Sequence, residues 1–168
     1  MRVDFMGMSR LLSSSFNYRL RELAKYVVLN LLLWRVTIAL HEDGHWITAS
    51  LLGYRDIIVV FSFAGGYALI REPIASPLHG LLIGLGGGLW VSIVYSAFYM
   101  VLDWETDMAE KMLLKAYVLS QFTYAVVEGI YGLGLLDIGV LSLISMIVYP
   151  ICLYGYLIWL FIYLYVGE

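Results

Sequence analysis

With one cysteine, Cys152, the chain has no means of building a disulfide framework or a thiolate metal site. Charge is also scarce: 14% of residues are charged, and 10 Lys and Arg against 13 Asp and Glu leave a formal net charge of −3. No basic tail or patch is present, which excludes nucleic acid as a partner. The three prolines include Pro73 and Pro77, placed where strand-like sequence gives way to a long apolar run. No internal repeat and no low-complexity linker is visible.

In their place stand apolar side chains, 62% of the 168 residues, a composition too apolar for an ordinary soluble domain. A membrane-crossing helix needs about 20 mostly apolar residues. Four stretches meet that length, which predicts an α-helical polytopic membrane protein in the lipid bilayer, with about four transmembrane helices and a small β-hairpin between the first two. The expected spans are 25–52, 78–102, 112–136 and 140–166, forming a single transmembrane domain over 25–168. An amphipathic lead-in over 1–24 precedes them, and Asp103–Lys111 reads as a solvated turn. The hairpin is expected over 56–72, from the β-branched run Ile57-Ile58-Val59-Val60-Phe61, the Gly65-Gly66 pair and Tyr67-Ala68-Leu69-Ile70. The 14 tyrosines suit interfacial belts and can supply hydroxyls between helices.

Five basic residues in the lead-in (Arg2, Arg10, Arg19, Arg21 and Lys25) outnumber two in the first loop (Arg55 and Arg71) and two near the second (Lys111 and Lys115). That bias predicts a multi-pass protein of the cell membrane with a cytoplasmic N-terminus.

Chemistry concentrates in His41-Glu42-Asp43-Gly44-His45, inside the first predicted span. Histidines four residues apart on a helix share a face, one turn apart, and can chelate one tetrahedral cation. The glutamate between them is placed to take and return a proton without being a ligand. Ionisable groups inside a span cost about 2.5 to 3.5 kcal/mol each on insertion scales, and a bound cation offsets that cost directly. Zn2+ is the expected cofactor, with His41 and His45 as ligands and Glu42 as the catalytic base.

A third protein ligand would leave one coordination position open, and both Asp137 and Glu128 are candidates. Counting about 1.5 Å per residue, Glu128 reaches the depth of His41. Asp137 reaches it only if the glycines at 129, 132 and 134 let the backbone unwind. Glu128 has a competing use as a salt-bridge partner of Arg35. His79, Gln121 and Asn30 read as hydrogen-bonding residues, and Gly84, Gly86, Gly87 and Gly88 as close-packing positions at a helix crossing.

Four segments resemble the site-2 protease family of intramembrane zinc metalloproteases: Ala39–Arg55 (ALHEDGHWITASLLGYR), Val59–Ile70 (VVFSFAGGYALI), Gly84–Trp90 (GLGGGLW) and Leu135–Gly139 (LLDIG). The resemblance implies His41 and His45 as zinc ligands, Glu42 as general base, Asp137 as third ligand, and hydrolysis of peptide bonds in membrane protein or peptide substrates. Asp-Ile-Gly stands here where the family has Asp-Gly, so both carboxylates stay open as the third ligand. The alternative expectation is a non-enzymatic structural or assembly subunit of a membrane complex, its HExxH cluster serving as a polar knot.

Overall fold

A computed structural model describes residues 5–62, 65–101 and 108–165. Its elements run α1 (Phe5–Leu51), β1 (Ile57–Phe61), β2 (Gly66–Ile70), α2 (Pro77–Val101), α3 (Met108–Gly132) and α4 (Ile138–Tyr165). The chain is therefore mostly helical with one two-stranded sheet. Among the described residues, two segments, Asn17–Leu51 within α1 and Pro77–Val101, are long and apolar enough to cross a membrane. The lead-in and the first expected span share one helix, α1 continuing through residues 24 and 25 without interruption. Residues 103–107 of the predicted polar turn and residue 102 of the second expected span lie outside the described residues, and Met108 to Lys111 are already helical.

Local chemistry explains where the helices stop. Gly53 takes a left-handed φ of 97° just past α1, and the N–H of Tyr54 reaches Ala49 O at 3.1 Å while that of Gly53 reaches Ser50 O at 3.1 Å. This is a Schellman closure, which satisfies the last carbonyls of the helix. The same device ends α3: Gly134 has φ 76°, Leu135 N–H donates to Ile130 O, and Gly134 N–H donates to Tyr131 O. α2 begins with Pro77 after Ser76, whose hydroxyl accepts the His79 N–H at 3.2 Å. A proline at the first helical position loses nothing, since its N–H would have had no partner there.

β1 and β2 pair antiparallel from Ile57 opposite Ile70 to Phe61 opposite Gly66. Glu72 closes the base of the hairpin, its Oε1 accepting the N–H groups of Arg55 at 2.6 Å and Asp56 at 2.7 Å. At the tip, Arg35 of α1 donates to Ser62 O at 2.8 Å. Tyr54 links the hairpin to α2: its hydroxyl accepts the Ala75 N–H and lies 3.0 Å from His79 Nδ1. His79 is thus a hydrogen-bonded residue of the α1–α2 connection, as the sequence suggests.

α2 is central and touches α1 and α3 through opposite glycine-bearing sides. A β-carbon at Gly80, Gly84 or Gly88 would run into backbone of Gly132, Glu128 or Gln121 on α3, whereas one at Gly86 would strike Thr48 of α1. The apolar core gathers Tyr26, Val91, Tyr95, Leu113, Tyr117 and Leu160. Its tyrosine hydroxyls are used between helices: Tyr117 donates to Asn30 Oδ1 at 2.7 Å, and Tyr95 meets Thr37 Oγ1 at 2.8 Å.

Candidate metal centre

His41 and Glu42 are buried on α1, and His45 follows one turn later on the same face. Asp43, between them in sequence, is exposed and takes no part in the group. The two imidazoles meet edge to face with ring centroids 4.7 Å apart.

Hydrogen bonds fix which nitrogen of each ring is free. His41 Nδ1 lies 2.9 Å from Gln121 Oε1, and His45 Nδ1 lies 2.7 Å from Ile83 O. Amide and carbonyl oxygens only accept, so in both rings Nδ1 carries the proton and Nε2 of the neutral imidazole presents a lone pair. Those two Nε2 atoms are 3.1 Å apart. Glu128 Oε2, from α3, sits 2.9 Å from His41 Nε2 and 3.4 Å from His45 Nε2. It is buried and, despite these short distances, receives no hydrogen bond.

Three electron-rich atoms therefore converge with no proton between them in the neutral state, an arrangement that calls for a cation. The donor set fits one. Ligand atoms about 2.0 to 2.1 Å from a tetrahedral metal stand about 3.3 Å from each other, and the observed edges of 2.9, 3.1 and 3.4 Å form nearly that triangle. Among the described residues, His41, His45 and Glu128 form the group able to hold a metal ion. The floor of the triangle is Gly87, where a β-carbon would lie 2.5 Å from His45 Nε2 and 2.7 Å from His41 Nε2. The missing side chain leaves the volume that a metal at this triangle needs.

Glu42 lies beside the group, under the hairpin. A β-carbon at Gly66 would come within 2.7 Å of Glu42 Cγ, so glycine there lets β2 rest on the carboxylate. The backbone amide of Ala68 is a further neighbour of that carboxylate. A cavity of about 1050 Å3 opens over these residues, bordered by His41, Glu42, His45, Glu128 and the β2 segment from Gly66 to Ala68.

The two candidates for third ligand are separated by this geometry. Glu128 points at the imidazole pair, 2.9 and 3.4 Å from the two Nε2 atoms, and not at Arg35, which reaches to the hairpin tip. Asp137 is exposed and outside the group. Its Oδ1 caps α4, accepting the N–H groups of Gly139 at 2.7 Å and Val140 at 2.9 Å. The reason is local: α3 does not unwind at its glycines but stays helical to Gly132, where Gly129 and Gly132 pack against α2 and Gly134 closes the helix.

Gln121, expected to bond between helices, does so to the His41 imidazole, a role that its spacing of seven from Glu128 could have signalled. Tyr124, with its ring centroid 5.3 Å from that of His41, carries no sequence signal that sets it apart from the other tyrosines.

Comparison with protein-family models, with curated proteins and with solved structures returns no match, so the chemistry of the site rests on its own residues.

Proposed function

We propose that the chain is an intramembrane zinc metalloprotease that hydrolyses peptide bonds of membrane-embedded substrates, with His41, His45 and Glu128 holding the metal and Glu42 as general base. The observation that carries this reading is the convergence of His41 Nε2, His45 Nε2 and Glu128 Oε2, each 2.9 to 3.4 Å from the other two, beside the buried carboxylate of Glu42. The resemblance of the HEDGH helix, hairpin and glycine-rich helix to site-2 proteases agrees with it.

Four membrane-crossing helices are part of the proposal. Large apolar side chains stand exposed on every helix, among them Leu32 at 60%, Ile93 at 61%, Leu119 at 65% and Ile158 at 61%. Apolar exposure spread over all four helices suits lipid and not water.

When bound, zinc acts as a Lewis acid and lowers the pKa of a water to about 7. The carboxylate of Glu42 takes the proton from the attacking water and returns it to the departing amine. The hairpin can align the peptide. Ladder bonds in an antiparallel pair alternate, and since Ser62 bonds Gly65 and Arg71 bonds Asp56, the inward pairs are Ile58 with Leu69 and Val60 with Tyr67. The polar backbone groups of Gly66 and Ile70 therefore face the outer edge of β2, on the side where the Ala68 amide meets Glu42, and an extended substrate can add there as a strand.

The deciding experiment measures zinc content and cleavage of a membrane-embedded reporter by the purified protein in bilayers. About one zinc per chain is expected. Glu42→Gln should retain it while cleavage falls by about 10^2 to 10^4, the usual contribution of a positioned acid–base group. A chain that takes up no zinc, or a Glu42→Gln variant that cleaves normally, overturns the proposal; the first result is the one a metal-free polar knot in a structural subunit would give.

A further inference from the structure

We infer that Gln121 is a positioning residue of the metal centre, holding the His41 ring in the tautomer and orientation that bind the ion; this rests on the metal reading above. Gln121 is wholly buried, with 0% exposure, on α3. Its Oε1 meets His41 Nδ1 at 2.9 Å, while Glu128, seven residues on, meets Nε2 of the same ring at 2.9 Å. Seven residues bring a helix back to within about 20° of the same azimuth and advance it about 10 Å. One stripe of α3 therefore brackets the imidazole at both nitrogens.

The bracket matters because a free imidazole exchanges its proton between the two nitrogens and turns about its Cβ–Cγ bond. An acceptor fixed at Nδ1 removes both freedoms and leaves the Nε2 lone pair directed at the metal position. His45 gets the same service from the Ile83 carbonyl, a backbone group that no substitution at position 83 deletes. His41 depends on a side chain, so its orientation is the genetically removable half of the arrangement. Gln121 is itself fixed from behind: Gly88 brings the α2 backbone onto the Gln121 main chain, where any β-carbon would collide with the Gln121 carbonyl oxygen.

The test compares zinc affinity of the native chain, Gln121→Leu and Gln121→Glu, by competition with a chromophoric chelator in bilayer discs. Losing a partner that orients a ligand histidine costs about 10- to 100-fold in affinity. Gln121→Leu, similar in size and without an acceptor, is expected to lose that much. Gln121→Glu keeps an acceptor at the same reach and is expected to bind at least as tightly as the native chain, a rescue that a purely packing role would not produce.

Nitrogen-15 spectra of His41 in the metal-free native chain supply a second readout that needs no variant, and should show the proton on Nδ1. Equal zinc binding by Gln121→Leu and native chain, loss in Gln121→Glu as large as in Gln121→Leu, or a proton on Nε2 of His41 overturns the inference alone. A native chain that binds no zinc overturns the metal reading and this inference with it.

Discussion

At the scale of single residues, the two carboxylates weighed as third ligand make opposite predictions. Glu128→Ala removes one corner of the triangle and should abolish stoichiometric zinc binding, read by metal analysis of the purified protein. Asp137→Ala removes a helix N-cap, so it should leave zinc bound and lower stability by about 0.5 to 2 kcal/mol, read by thermal or denaturant unfolding. Gly87→Ala makes a third case: its β-carbon would occupy the space against both Nε2 atoms, and zinc uptake should be lost although no ligand has changed. Depth along the helices pointed to Glu128 from sequence alone. What the sequence could not decide was whether the glycines near Gly134 unwind a helix or close it, because both uses ask for the same residue.

Elements carry the next lesson. The hairpin was legible because β-branched runs around a Gly-Gly pair have few other uses, and the end of α1 and the start of α2 follow from Gly53 and Pro77. Its anchoring was not, since Glu72 reads as an ordinary loop acid until its oxygen is seen bridging two backbone amides. Accepting the N–H groups of Asp56 and Arg55 holds the Glu72 carboxyl below the usual glutamate range. A group lowered in the folded state stabilises above its unfolded pKa and loses that contribution as pH falls through the lowered value. Exchange protection at the Arg55 and Asp56 amides should therefore hold at neutral pH and disappear in acid, and in Glu72→Ala it should be weak at both. The glycines of α2 were expected at a helix crossing, but the sequence did not reveal that Gly80, Gly84 and Gly88 serve α3 while Gly86 and Gly87 serve α1.

For the whole molecule, the apolar exteriors of the helices predict that the protein stays with the membrane through alkaline carbonate washing and is released by detergent alone. Release by carbonate would contradict a multi-pass arrangement. Composition foretells an apolar helical chain, and α1 is continuous from Phe5 through the arginines before Lys25. His41, Glu42 and His45 belong to α1, which also grips the hairpin through Arg35, whereas Glu128 and Gln121 belong to a slab in which α2 and α3 are locked backbone to backbone. An ion at the triangle would therefore add a tie between α1 and α3, and chelation should loosen the bundle.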